Sequence, residues 1–483
     1  MSETLTKRAA SGALWLGLTN VCSKGMQMVV TVVLAATLTQ ADLGRVTVAV
    51  ALVNVSQVIQ SMGVFDVLAR TDRDPKRMAG TVMSISVAVG ALVAFVAVVF
   101  SHRVASLLGA PDAAGLVALT ALSLPFTAVG GVQMAVMHRT LDFRRRVLPD
   151  AGSAIIGGIV TVVLAVTGAG PYSLALGLLT TAVLQPILGM FVGVRIVPAW
   201  DPAAAGEALR WVRVVGPAAV AGILLVNIDY PTVAHVLGAD ALGVYSLAFR
   251  IAWIPYIMGA VVLGAVAFPV YTHMIRDGRR DELPGASAMF TRAVIVGVCG
   301  MYVLIALLAH RVVVLNPRWV DAEPVLLVLC GYGIAISLLH TWYETAMAAG
   351  QARWYLVLEL VRLVLLAGGL LALTRFGVVW AAVAQLAAAA VLVPFAWLGM
   401  ARSGAAPSPA DFGRALWGLA VPSAAAAAVS AAYRLSPLAG ADGSVVRGVA
   451  EGLLVTAVFA AVAYLTNREL IGQLRSQRSE AAE

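Results

Sequence analysis

The sequence predicts an all-α polytopic membrane protein of about fourteen transmembrane helices, and three observations predict it. Of the 483 residues 60% are apolar and 12% charged, with a mean hydropathy of +0.91. That balance leaves too little polar surface for a chain of this length in water. Apolar stretches long enough to cross ~30 Å of hydrocarbon recur from end to end. Runs such as Val29 to Leu38 and Ala381 to Leu398 show no apolar-polar alternation. Every backbone group in lipid needs an internal partner, so such runs read as helices and not as strands of a closed barrel.

Hydropathy and loop chemistry place the helices near 11–38, 43–65, 78–100, 115–137, 151–168, 172–193, 213–237, 243–270, 289–310, 323–348, 353–373, 378–400, 412–433 and 446–466. The first follows a polar segment holding Lys7 and Arg8, is too long for a signal-peptide core and lacks a cleavage signal, so it reads as a retained span. Turn chemistry separates the later ones, as at Gly168-Ala-Gly-Pro171, Gly238-Ala-Asp-Ala-Leu-Gly243, Ala405-Ala-Pro-Ser-Pro409 and Gly440-Ala-Asp-Gly443. With both termini in the cytoplasm, inside segments hold 23 of the 33 Lys and Arg residues and outside loops hold 7. The clusters Arg70/Arg73/Lys76/Arg77, Arg139/Arg144/Arg145/Arg146 and Arg276/Arg279/Arg280 all fall inside. This asymmetry follows the positive-inside rule, accounts for the net charge of +8 and removes the reason to invoke nucleic acid.

The halves repeat. Leu38-Thr-Gln-Ala-Asp-Leu-Gly44 matches Leu237-Gly-Ala-Asp-Ala-Leu-Gly243 at an offset of 199 residues, and Met137 to Arg144 weakly matches Met347 to Trp354 at an offset of 210. An offset of six helices preserves orientation, which implies two pseudo-symmetric six-helix lobes with a cavity between them, plus a C-terminal helix pair. The expected division is an N-lobe at 1–194, a cytoplasmic linker at 195–212, a C-lobe at 213–400, a terminal pair at 401–467 and a cytoplasmic tail at 468–483.

No phosphate-binding glycine loop, metal-spaced His or Cys cluster or nucleophile-bearing soluble domain is present, so neither an enzyme nor a cofactor is expected. Cys22, Cys299 and Cys330 are widely separated inside spans and read as small apolar residues. Ionisable groups in lipid are the informative exceptions, each costing roughly 2.5–3.5 kcal/mol unless paired or wet. Asn20, Lys24 and Gln27 share one face of the first helix, and Asn54, Gln57 and Ser61 one face of the second, which suggests a hydrated cavity; helix-helix hydrogen bonding is the plainer alternative. Asp229 and Arg250 lie at similar depth on successive helices, so they form an ion pair or leave Arg250 to a substrate phosphate. Glu359 and Arg362, three apart, can pair locally. Glu344 either takes up a coupling proton, if burial disfavours its charged form, or snorkels to the cytoplasmic surface. His235, His273, His310 and His340 read as interfacial or packing residues. Trp15, Trp211, Trp253, Trp319, Trp342 and Trp354 read as part of an aromatic belt.

Ser11-Gly-Ala-Leu-Trp15 with Lys24-Gly-Met-Gln27, then Asn227-Ile-Asp229 with Leu242-Gly-Val-Tyr-Ser-Leu-Ala-Phe-Arg250, Pro255 and Phe268-Pro269, resemble segments of the polysaccharide transport family, particularly its colanic-acid-exporter-like members. Arg139-Thr-Leu-Asp-Phe143 and Pro317-Arg-Trp319 resemble its loop motifs. The likeness covers about residues 7–400. It implies the MATE-like fold, residence in the bacterial inner membrane, and transfer of an undecaprenyl-diphosphate-linked oligosaccharide between leaflets by alternating access. On that implication Lys24, Arg250 and Arg362 would hold the diphosphate, and Asn20, Gln27, Asn54 and Gln57 the sugar hydroxyls. Arg70 and Arg144 to Arg146 would face anionic lipid or the incoming headgroup at the cytoplasmic mouth. Expected partners are that lipid-linked substrate, anionic lipids, a coupling H+ or Na+, and polymerase or other assembly proteins. Tyr230-Pro231, expected to kink the seventh helix beside Asp229, and Glu344 depart from the family pattern. A lipid II flippase, a MATE-type drug or cation antiporter and a non-transporting scaffold are the competing readings.

Overall fold

The computed structural model describes residues 19, 22–61, 67–68, 74–140, 142–314, 316–436, 445–469 and 472. Among them there is no strand. Among the described residues ten helices are long and apolar enough to cross a membrane, or eleven when Pro111–Ala121 and Leu124–Arg139, bent by 44°, count as one span.

Contact density divides the chain into Met1–Ser246 and Leu247–Glu483. The first unit contains α1 (Cys22–Thr37), α2 (Gln40–Ser61), α3 (Pro75–Val99), α4 (Leu124–Arg139), α5 (Ser153–Val166), α6 (Tyr172–Phe191) and α7 (Pro202–Asn227). The boundary falls within α8 (Asp229–Pro255). The second unit continues with α9 (Val261–Arg276), α10 (Arg280–Arg311), α11 (Ala322–Ala348), α12 (Ala352–Leu373), α13 (Val378–Arg402), α14 (Pro409–Leu435) and α15 (Val445–Thr466).

Helix boundaries differ from the sequence expectation in two regions where the cause is local. Residues 195–201 are extended and dock on α3: Asp201 N–H donates to Thr81 Oγ1 (3.1 Å) and Ser84 Oγ to the Ala199 carbonyl (2.9 Å). Helix resumes at Pro202, where a proline loses nothing, and Asp201 caps it by accepting from Ala203 N–H at 2.9 Å. The segment expected as a linker is therefore helical from 202 onward.

The stretch 219–276 runs 58 residues, or about 87 Å at 1.5 Å per residue, far more than one bilayer crossing. It is interrupted at Ile228, because Pro231 has no N–H for the Asn227 carbonyl four residues back and its ring crowds that oxygen. A second break falls at Gly238, whose φ of 85° and ψ of 178° leave the helical region at a position only glycine occupies cheaply. The loop expected over 238–243 thus shrinks to one residue, and helix geometry resumes at Ala239.

That sharp turn brings the repeated motifs into reciprocal contact. A Cβ on Gly44 would lie 1.9 Å from the Ala239 carbonyl oxygen, and a Cβ on Gly243 1.9 Å from the Gln40 carbonyl oxygen. Each glycine meets the residue four before its repeat equivalent, the pattern of a local twofold, and bare α-carbons allow the backbones to touch.

In the second unit the core is aromatic. Trp342, 1% exposed, stacks edge-on with Trp397 and lies beside Phe412, and its Nε1–H donates to Thr291 Oγ1 at 3.2 Å. Trp319 is fully buried. Both are packing residues and not members of an interfacial belt; a buried indole is satisfied here by an internal hydroxyl in place of the membrane surface. Cys299 and Cys330 are buried, Cys22 is half-buried, and all three are free thiols.

Candidate functional site

The polar stripe on α1 acquires a partner that the sequence reading missed. Lys24, half-buried, donates from Nζ to Gln27 Oε1 at 3.2 Å, one helical turn on. Asp150 lies within electrostatic reach of Lys24. It stands in the π-helical turn Leu148–Gly152 that leads into α5, where its Oδ2 accepts from Arg146 Nε at 3.1 Å. The approach of α1 to α5 depends on Gly158, where a Cβ would fall 2.4 Å from Met26 Cγ. Asp150 therefore pairs directly with Arg146 and with Lys24 only through longer-range attraction, Arg146 and Asp150 keeping 22% and 30% of their side chains exposed.

The other expected members of this region are distributed differently. Asn54 and Gln57 are half-buried on α2, Arg144 is exposed, and Arg145 pairs with Asp142 at 3.3 Å. Arg139 donates to the Leu68 carbonyl, which ties the end of α4 to residues 67–68. Asn20 and Arg70 lie outside the described residues. The signal for Asp150 was present in its i,i+4 spacing from Arg146; its proximity to Lys24 comes from packing, which no spacing encodes.

Asp229 opens α8 and is wholly buried, with Oδ2 accepting from Tyr245 Oη at 2.7 Å and Oδ1 from the Tyr230 N–H at 3.0 Å. Arg250 is half-buried beside Phe249, whose ring stacks on Trp253 at 5.2 Å. Trp253 leads on to Tyr256 (4.6 Å) and Tyr256 to His340 (5.6 Å). His340 Nε2 stands 3.9 Å from Glu344 Oε1, each side chain about one-quarter exposed. Glu359 and Arg362 pair within α12 at 3.1 Å, with 15% and 11% of their side chains exposed. His340 thereby joins the polar groups of this unit instead of serving only as packing.

A second cluster was not anticipated. Glu451 on α15 is wholly buried and takes Arg311 at 2.7 Å (Nε) and 2.6 Å (Nη2), together with Ser430 Oγ at 3.0 Å. His310 Nε2 and Arg434 Nε approach it at 3.5 and 3.6 Å. It binds the terminal helix pair to the end of α10.

No group of His, Cys, Asp and Glu among the described residues is arranged to hold a metal ion. The family model described as polysaccharide biosynthesis protein matches residues 33–324. The chain belongs to that family.

Relatives agree with the assignment. The succinoglycan biosynthesis transport protein ExoT of Rhizobium meliloti (strain 1021) is 26% identical over 67% of this chain and 65% of its own length, just under two thirds. The lipopolysaccharide biosynthesis protein WzxC of Escherichia coli (strain K12) is 23% identical over 69% of each chain, and the teichuronic acid biosynthesis protein TuaB of Bacillus subtilis (strain 168) 22% identical over 72% of this chain and 73% of its own. Among solved structures, the lipid II flippase MurJ in an inward closed conformation superposes with a TM-score of 0.74 at 13% identity, over 95% of this chain and 99% of that one. An inward-facing multidrug resistance MATE transporter gives 0.64 at 14% identity over 79% and 95%. At such identities the likeness establishes the fold alone. This member of the polysaccharide biosynthesis family is a multi-pass membrane protein. Arg146, Asp150, Asp229 and Arg250 fall within the matched residues, whereas Lys24, Glu344, Glu359, Arg362 and Glu451 lie outside them.

Proposed function

We propose that the protein flips an undecaprenyl-diphosphate-linked oligosaccharide from the cytoplasmic to the outer leaflet of the bacterial inner membrane, by alternating access, to supply surface polysaccharide assembly. It acts as a transporter and not as a catalyst. Its relatives' roles in succinoglycan, lipopolysaccharide and teichuronic acid biosynthesis support this reading. The structural observation that carries it is a half-buried lysine, Lys24, bonded to Gln27 on an otherwise apolar helix, in the same unit as the partly exposed Arg146–Asp150 pair. A diphosphate crossing a bilayer must exchange its water for fixed cations, while the polyprenyl tail stays in lipid. Arg146 and Asp150 pair with each other, which leaves the charge of Lys24 in excess for the diphosphate.

The apolar segments fit a fourteen-span topology if the stretch 219–276 crosses twice and the segments 22–37 and 40–61 cross once each, with both termini cytoplasmic. Lys24, Arg146 and Arg250 are the proposed headgroup ligands, with Gln27, Asn54 and Gln57 for sugar hydroxyls. Arg362, nine-tenths buried against Glu359, is better suited to the internal pair, leaving Glu344, Glu359 and Asp229 as candidate coupling groups for H+ or Na+.

Substrate class is tested by reconstituting the protein in liposomes with fluorescent lipid-linked substrates. Flipping of an undecaprenyl-diphosphate oligosaccharide in preference to lipid II is expected. Preference for lipid II, or efflux of organic cations with no lipid flipping, would replace the reading with one of its rivals.

A further inference from the structure

A cavity of about 330 Å³ opens between α10, α14 and α15, lined by Arg292, Arg414, Trp417, Thr466 and Glu469 together with Gly413 and Gly418. We infer that it binds the headgroup of a zwitterionic phospholipid, phosphatidylethanolamine. The lining comes from the early part of α10, the start of α14 and the end of α15. In helices that alternate in direction, those positions share one membrane face.

The site is built around Asn467, which is 1% exposed and accepts from Arg292 Nε and Nη2 at 3.3 and 3.0 Å. Its Nδ2 donates to the Gly418 and Ala463 carbonyls, both at 3.1 Å, locking α14 to α15. Gly418 is required there, since a Cβ would stand 2.4 Å from Asn467 Oδ1. Arg292 is thereby fixed with its remaining N–H donors unspent on Asn467.

Charge selects the ligand. Arg292 and Arg414 contribute two cations; Asp411 pairs with Arg414 at 2.5 Å, and Glu469, exposed at the rim, forms no ion pair among the described residues. The cluster is balanced, so a plain anion would leave Glu469 repelling it. A phosphodiester set between the two guanidinium groups with its ammonium toward Glu469 satisfies all three. Trp417, 71% exposed, is placed as an interfacial anchor beside the glycerol backbone. This inference does not depend on which substrate the protein flips.

The test is native mass spectrometry of the detergent-purified protein offered equal phosphatidylethanolamine and phosphatidylglycerol of identical acyl chains. The wild type is expected to retain phosphatidylethanolamine about tenfold better, the value of one charge-assisted contact. Glu469→Gln should bring that ratio close to one, and Arg414→Ala, whose side chain is 66% exposed, should weaken retention of both lipids without loss of fold. Equal retention by wild type, an unchanged ratio in Glu469→Gln, or displacement of the lipid by millimolar inorganic phosphate alone would overturn the assignment, the last by showing a free phosphate site.

Discussion

The Asp150 and Glu451 clusters each place one carboxylate among cations inside an apolar helical unit, yet they are built for opposite ends. Glu451 is wholly buried, and both its oxygens are engaged by Arg311 and Ser430, with His310 and Arg434 close behind. Neither oxygen of that carboxylate is left without a partner. Asp150 keeps 30% of its side chain exposed and, among the described residues, is bonded by Arg146 alone at hydrogen-bond distance, with Lys24 further away. On the proposed reading the difference is that an intramembrane charge serves transport only when its partners are incompletely used, whereas a saturated cluster joins helices.

Removing the saturated carboxylate should have the largest effect. Glu451→Ala strands Arg311, which is 9% exposed, and is expected to cost about 3–5 kcal/mol, read as a lowered thermal unfolding midpoint of the purified protein. A wild-type midpoint would break the comparison, since Glu451 would then be no joint. Asp150→Asn should cost at most about 1 kcal/mol, because its partners stay partly hydrated, while changing the substrate concentration at half-maximal flipping. A collapse in stability comparable to Glu451→Ala would make the two clusters equivalent. Arg434→Ala sharpens the contrast within the saturated cluster: its side chain is 46% exposed and 3.6 Å from Glu451, so a loss of roughly 0–1 kcal/mol is expected in the same melt.

What the sequence disclosed follows the range of the forces involved. Lys24 and Gln27 were legible because they lie a helical turn apart, and their hydrogen bond is local. Asp150 was not, because its link to Lys24 requires α1 to close on α5 across Gly158. Glu451 was missed for a similar reason: a single acid in an apolar run says nothing of Arg311, 140 positions away. The membrane-embedded helical class followed from composition, and the breaks at Ile228 and Gly238 from Pro231 and the Gly238–Gly243 turn signal, which hydropathy alone does not register. The motif repeat at Gly44 and Gly243 was visible as sequence; that the two copies touch each other was not.

The central claim, that an incompletely used cation on α1 carries the headgroup, is tested most directly by the flipping rate of Lys24→Ala against wild type at equal reconstitution. A loss of tenfold or more, about 1.4 kcal/mol, with an unchanged unfolding midpoint is the predicted result. Wild-type flipping by that variant would contradict the account and return Lys24 to the helix surface.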